Sequence, residues 1–332
     1  MTSGASDGPL VEVQGLGKSF AARSGLLARL LRRGGTIRAL DGVNLSIRRG
    51  ETLGLIGESG CGKSTLARVL LRLQEPSAGT IRFDGEDITA ADRNRLRQLR
   101  RRMQIVFQDP YAALNPRQTV EQIVGLPLRI AQRLGREAAR PHVAAMIERV
   151  GLKRTHLNRF PHQFSGGQRQ RIGIARALVA RPDFVICDEA VSALDVSIQA
   201  QILGLLQELR RDLGLTYLFI SHNLAVVGHV SDRIAVMYLG EVVELAPARA
   251  VLAAPRHPYT QSLLAAVPRL AARDAAIRPK LAGEPPSPIA PPPGCRFHPR
   301  CAKAVDSCRT TRPTLRDISL DHAVACHLAD NP

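Results

Sequence analysis

Tryptophan is absent from the 332-residue chain, and aromatic residues make up only 4 % of it. Stacked-ring platforms for nucleic-acid bases are therefore not provided. Lysine is scarce. It stands at positions 18, 63, 153, 280 and 303 only, so arginine carries nearly all of a net charge of +17. No run of about 18 apolar residues occurs, which excludes a spanning helix. The opening MTSGASDGPL lacks the basic-then-apolar order of a secretory leader, so a cytosolic chain is expected. What is present is ordinary: 45 % hydrophobic and 23 % charged residues exclude a mainly disordered chain. The length suits about two domains, or one large domain with an appendix. The basic surplus has two readings. It serves an anionic partner (nucleotide, nucleic acid or lipid headgroup), or it is a habit of composition in which Arg replaces Lys.

Hydrophobic periodicity orders the chain. Val11, Val13 and Leu16 alternate with polar residues, and residues 39–47 alternate again, so strands are expected there. Between them, residues 25–34 form a short basic amphipathic piece, readable as a membrane-touching segment or as a solvated loop insertion. Thr52–Ile56 is an apolar strand, followed by a glycine loop and a helix over about 63–73. A basic helix is expected over about 91–103, with Leu96, Leu99 and Met103 on one face. Strands at 104–108, 184–187, 216–221 and 234–237, a mostly helical stretch over 115–180 and a helix near 197–213 complete a β/α alternation. That alternation implies a largely parallel sheet. After about residue 246 the character changes. Residues 283–293 form a proline-rich connector, and a cysteine-bearing tail follows.

Three segments carry chemistry. Gly57-Glu58-Ser59-Gly60-Cys61-Gly62-Lys63-Ser64, with Thr65 next, fits the phosphate-binding loop between a strand and a helix. Its glycines let backbone N–H groups turn around phosphate oxygens, and the helix N-terminus adds partial positive charge. Lys63 suits the β and γ phosphates, and the Ser64 hydroxyl suits Mg²⁺. The apolar strand from Phe184 ends in Asp188 and Glu189, at the sheet end where open α/β folds place ligands. Asp188 would hold Mg²⁺ through its water shell, and Glu189 would orient and deprotonate water. Phe164-Ser165-Gly166-Gly167-Gln168 opens another helix and offers a second anion site.

The Ser165-Gly166-Gly167-Gln168 segment, about twenty residues before the acidic strand end, resembles the signature of ATP-binding-cassette (ABC) ATPases, with Phe164 where Leu is common. The other family elements fall in order. Phe20 resembles the residue that stacks on adenine, Gln108 the Q-loop glutamine that approaches Mg²⁺ and the attacking water, Ser192-Ala193-Leu194-Asp195 the D-loop, and His222 the switch histidine. The resemblance implies an α/β fold: a P-loop NTPase ABC cassette over 8–245 with a mainly parallel sheet, an antiparallel β subdomain and a helical subdomain over about 109–173. It implies ATP and Mg²⁺ as cofactors. It also implies a site completed by a second ATPase subunit, to which one subunit gives Lys63, Ser64, Gln108, Asp188, Glu189 and His222 and the other its Ser-Gly-Gly-Gln segment.

A narrower resemblance is to the ATPase subunits of dipeptide and oligopeptide importers. Residues 109–117, Asp-Pro-Tyr-Ala-Ala-Leu-Asn-Pro-Arg, and 257–264, His-Pro-Tyr-Thr-Gln-Ser-Leu-Leu, carry it. The first segment is similar to the second, F-type, of the two unlike ATPase subunits. The implied partners are that other ATPase chain, two transmembrane permeases docking near 109–135 and, indirectly, an extracytoplasmic solute-binding protein, with no nucleic acid. The implied place is the cytoplasmic face of the inner membrane, bound peripherally. The alternative is a soluble ABC ATPase acting on nucleic acid or ribosomes.

Six cysteines remain. Cys61 and Cys187 read as small packing residues. Cys295, Cys301, Cys308 and Cys326 cluster at C-x5-C-x6-C-x17-C. Disulfides are disfavoured in a cytosolic chain, so four thiols point to a metal, Zn²⁺ or an iron–sulfur cluster, or to free thiols. The tail, 246–332, resembles the C-terminal extension of peptide-importer ATPases, where four cysteines accompany a [4Fe–4S] cluster. Zinc is the alternative, with His298 and His327 as added ligands.

Overall fold

The apolar runs of the sequence become strands buried on both faces, as parallel sheets require. The computed structural model describes residues 8–21, 36–266 and 283–329. The basic piece at 25–34 lies outside them. In chain order the strands are β1 (Val11–Ala21), β2 (Thr36–Ile47), β3 (Thr52–Ile56), β4 (Ala78–Phe83), β5 (Glu86–Asp87), β6 (Met103–Val106), β7 (Phe184–Asp188), β8 (Thr216–Ile220), β9 (Arg233–Tyr238), β10 (Glu241–Pro247), β11 (Arg316–Ser319) and β12 (His322–Val324).

The chain divides into two units that interleave along the sequence. The first comprises Ile47–Thr52 and Phe83–Ile220, together with the described residues up to Leu10. Here β7 runs parallel to β6, with Met103 opposite Phe184, and parallel to β8, with Phe184 opposite Thr216. Phe184, Val185, Ile186 and Cys187 are fully buried. The helices Gly166–Leu178 and Val196–Leu213 bury Ile172, Ile174, Leu178, Ile202 and Leu209. The basic helix spans Arg93–Arg102, and Asp92 caps it by accepting from the Arg95 N–H. Leu96 and Leu99 bury its inner face, while Met103 already begins β6.

The second unit comprises Val11–Ser46, Leu53–Arg82 and the described residues from Ser221 onward. One sheet carries β2-β1-β4, and another carries β11-β12-β10-β9-β3. β3 and β9 are parallel, with Leu53 opposite Arg233, but β10 pairs antiparallel with both β9 and β12. The strands β10, β11 and β12 were not expected from the sequence. The cysteine-bearing tail thus adds two strands beside β10, and Val324, Cys326 and Ala329 form its small core with Ile318 and Leu328.

One buried carboxylate ties these parts together. Glu244, in the middle of β10, is 0 % exposed. It accepts from the main-chain N–H groups of Arg256 (2.8 Å) and His257 (3.1 Å) and lies 2.8 Å from His322 Nε2 of β12. A buried carboxylate is tolerated only when its lone pairs are filled in this way. His257 in turn caps the helix Pro258–Ala265, accepting the Tyr259 N–H at its Nδ1 (3.0 Å).

Burial depresses the His257 imidazole to about 4. An unfolded histidine titrates near about 6.5. Below that pH the unfolded chain takes up a proton that the folded chain refuses. Stability should therefore be level above about 6.5 and fall as pH drops towards about 4, by about 3 kcal/mol at full shift. Urea unfolding across that window checks this, and His257→Asn, which keeps a capping acceptor, should flatten the slope.

Candidate functional site

The phosphate loop lies in the second unit. β3 delivers the chain to Gly57, and three glycines take φ values open to few other residues: Gly57 (156°), Gly60 (78°) and Gly62 (111°). A side chain at Gly57 would collide with the Met237 carbonyl, and one at Gly62 with the Ala39 carbonyl. Close backbone packing therefore reserves both places for glycine. Gly62 opens the helix Lys63–Leu70 with no side-chain cap and no acid in its first turn. Such a helix start presents N–H groups and positive potential to an anion.

Lys63 is buried, and its Nζ donates to the carbonyls of Gly57 (2.7 Å) and Glu58 (2.8 Å), which holds the ammonium within the loop. Cys61 packs beneath it, and burial raises its thiol pKa despite the lysine. Ser59, Gly60, Ser64 and Thr65 complete the turn and the first helical residues. The Ser221 N–H donates to the Leu55 carbonyl (3.3 Å). The segment carrying His222 therefore leaves beside β3, two residues before Gly57, and Asn223 then caps the helix Leu224–Val230. Phe20 sits near the end of β1 with Lys18 Nζ 5.1 Å from its ring centroid.

The first unit carries the acids. β7 ends at Asp188, which is half-buried. Glu189 follows with φ of 49°, rare outside glycine. Its backbone is held by its own N–H donating to the Ile220 carbonyl (3.0 Å) and by the Ser192 hydroxyl donating to its carbonyl (2.9 Å). Strain of this kind collects where a side chain must point one way. Gln108 Nε2 donates to Glu189 Oε2 at 2.9 Å, across 81 residues of sequence. Two residues matched separately to the family are thus in direct contact.

The signature segment has a local role besides. Ser165 and Gln168 cap each other: the Ser165 N–H donates to Gln168 Oε1 (3.1 Å) and the Gln168 N–H to Ser165 Oγ (3.4 Å). This is a capping box, a Ser-x-x-Gln pattern at a helix start. A Cβ on Gly167 would stand 2.6 Å from Ile198 Cγ2, and one on Gly166 3.8 Å from Leu194. Gly167 therefore lets the side chain of Ile198, in the helix Val196–Leu213, come close, while Leu194 stands at ordinary contact distance from Gly166.

The four tail cysteines lie within electrostatic reach of one another. Burial, assisted by the neighbouring sulfurs, lifts Cys295 to about 11 and raises Cys301 and Cys326. Among the described residues no group of three or more His, Cys, Asp or Glu side chains is arranged to hold a metal ion. The expected Cys295-Cys301-Cys308-Cys326 ligand set is therefore not assembled, nor is a zinc set with His298 or His327. His298 Nδ1 turns to the Cys295 carbonyl and His327 Nε2 to the Thr311 carbonyl, each at 2.9 Å. Cys187 is buried, with its thiol pushed up to about 12. Tyr259 and Arg300 escaped the sequence reading, yet both hydrogen-bond to Glu58 of the phosphate loop. The only signal for Tyr259 was the His257-Pro258-Tyr259 wording, which carried resemblance rather than chemistry.

A phosphate loop, an acidic strand end in contact with a glutamine, and a capped Ser-Gly-Gly-Gln helix together define an ABC ATP-binding cassette, and the comparisons agree. Residues 40–192 match the family model described as ABC transporter. The chain is 30 % identical to the dimeric ATP-binding cassette MJ0796 in a post-hydrolysis state bound to ADP and Pi, with a TM-score of 0.63 over 72 % of this chain and 99 % of that one. It is likewise 30 % identical to cbiO1 from Clostridium perfringens, part of the ABC transporter complex cbiONQ, with a TM-score of 0.63 over 74 % and 92 % of the two chains.

Within that class the match narrows. Residues 243–308 fit the model of the oligopeptide/dipeptide transporter C-terminal region. The chain is 48 % identical to the oligopeptide transport ATP-binding protein AppF of Bacillus subtilis (strain 168), over 96 % of this chain and 97 % of that one. It is 47 % identical to the dipeptide transport ATP-binding protein DppF of Escherichia coli (strain K12), over 97 % and 95 %. The chain belongs to the family of oligopeptide/dipeptide ABC transporter ATP-binding proteins.

Gly62→Ala should cost about 2–5 kcal/mol, from a left-handed backbone and a collision with the Ala39 carbonyl. A thermal-unfolding midpoint several degrees below wild type is the expected reading.

Proposed function

We propose that the chain binds ATP with Mg²⁺ and hydrolyses it as one of two paired ATPase subunits, powering uptake of dipeptides, oligopeptides or related small solutes through membrane permeases. The Gln108–Glu189 contact carries the chemical part of this reading. Glu189, fixed in orientation by its backbone and by Gln108, takes a proton from water as the water oxygen attacks the γ phosphorus and ADP leaves. Lys63 and the loop N–H groups stabilise the charge on the transferred group, and His222 contacts the γ-phosphate. Phe20 supports the adenine. The Ser64 hydroxyl, the Asp188 carboxylate and the Gln108 amide each offer a hard oxygen of the kind Mg²⁺ takes, and they are the residues that would hold it. Bound there, the ion would supply charge neutralisation on the phosphate chain.

The chain has one phosphate loop and one signature segment, so two ATPase subunits complete two sites between them. The dimeric state of the 30 % identical cassette MJ0796 supports this. The second subunit, on the segment at 109–117, is a different chain. Nothing among the described residues is a helix long and apolar enough to cross a membrane, so transport needs permease partners. In the first unit, Leu96, Leu126 and Ile130 line an apolar groove of about 470 Å³ edged by Arg93, Arg97 and Arg100. An amphipathic permease helix with acidic residues at its rim fits that chemistry. The same reading has the chain at the cytoplasmic face of the membrane, bound peripherally to the permeases, with an extracytoplasmic binding protein supplying solute.

The iron–sulfur reading of the tail belongs to the same proposal. What supports it is the presence of four thiols on one short segment, which would have to draw together and give up their protons to take a cluster, and no step of ATP hydrolysis runs through it.

Glu189→Gln, in the complete transporter, should keep ATP binding while turnover falls by about two to four orders of magnitude. Near-normal turnover would remove Glu189 from its role. Protein purified anaerobically should show broad absorbance near ~400 nm that Cys301→Ser abolishes, with iron rather than zinc by metal analysis.

A further inference from the structure

Glu58, the second residue of the phosphate loop, is held by the tail through two of its three polar handles. Arg300 Nη1 and Nη2 donate to its Oε2 (2.7 Å) and Oε1 (2.9 Å) as a two-pronged fork. Its main-chain N–H donates to Tyr259 Oη (2.9 Å). The third handle faces the loop: the Glu58 carbonyl accepts from Lys63 Nζ (2.8 Å) and from the Cys61 N–H (3.3 Å). One residue thus joins the tail to the lysine that meets the phosphates.

The two clamping groups are well fixed. The Arg300 side chain is only 5 % exposed, and Tyr259 is fully buried. In a chain with eight Phe and four Tyr, three of these rings meet here. Tyr238 and Tyr259 lie 4.6 Å apart by centroid, and Phe297 lies 5.3 and 5.4 Å from them. Arg300 ends the one-turn helix His298–Arg300, which the cysteines frame: the His298 N–H donates to the Cys295 carbonyl (3.0 Å) and the Cys301 N–H to the His298 carbonyl (3.2 Å).

We infer that Arg300 and Tyr259 are positioning residues of the nucleotide site, through which the cysteine-framed tail sets the geometry of the phosphate loop. A bidentate guanidinium–carboxylate pair fixes direction as well as distance. Loosening it lets Glu58 turn, and the carbonyl that holds Lys63 turns with it. This inference rests on the ATP-binding reading.

The test is equilibrium binding of a fluorescent ATP analogue with Mg²⁺ to the full-length chain. Arg300→Met should weaken binding about 3- to 10-fold, the range for a residue acting on a site it does not touch. Arg300→Lys, a single point charge, should recover part of the loss. The Glu58→Gln/Arg300→Met double variant should bind within about twofold of Arg300→Met alone, because both changes break one link. In the assembled transporter the loss should fall on KM rather than kcat. Should Arg300→Met not fold, Arg300→Lys and Glu58→Gln carry the same comparison. Wild-type affinity in a folded Arg300→Met, or losses from Glu58→Gln and Arg300→Met that multiply, would overturn the inference. Lys63→Ala separates the two levels: if it too binds as wild type does, the ATP-binding reading fails.

Discussion

A loop that grips phosphate must turn several consecutive N–H groups inward, and L-residues resist that turn. The positive φ angles at Gly57, Gly60 and Gly62 are the constraint around which the second unit is organised. β3 has to end at Gly57, and the backbone of Ala39 and Met237 has to come within a methyl group's width of the loop. Lys63 is then tied back to the Gly57 and Glu58 carbonyls rather than left to solvent. At Gly57 and Gly62 the nearest neighbours are backbone carbonyls, which cannot step aside as a side chain would.

The acids in the first unit obey a different rule. Glu189 stands in a left-handed conformation that its own backbone hydrogen bonds enforce, and Gln108 fixes its carboxylate. The strain is stored in the turn after β7, and a buried apolar strand supplies the rigidity to store it. The residue types for hydrolysis thus arise from two kinds of local order, glycine permissiveness and enforced strain.

Legibility in the sequence followed the range of the interactions. β3, β7, β8 and β9 could be read because a strand buried on both faces is a continuous apolar run. β10 could not, because Glu244 interrupts its run. What makes that glutamate acceptable is its contact with two N–H groups twelve and thirteen residues on and with His322 seventy-eight residues on. Met103 fitted the helical period of Leu96 and Leu99 and still became the start of β6, since boundaries are where periodicity says least. At the candidate site the residue types were readable but their meetings were not. Gln108 and Glu189 are 81 residues apart, and Arg300 and Glu58 are 242 apart. The four cysteines show the converse. Their spacing suggested a ligand set, but spacing says nothing about whether the sulfurs face one another.

The antiparallel pairing of β12 with β10 has a consequence for handling the protein. β10 buries Val242, Val243, Leu245 and Ala246, and without β12 it would present an unpaired row of peptide groups, a template for association between copies. The outermost strand is instead β11, four residues long and carrying Arg316 and Asp317 in exposed positions. A shortened version stopping before residue 316 would bare that hydrophobic margin, and it should come out of cells in aggregates however intact its nucleotide-binding half.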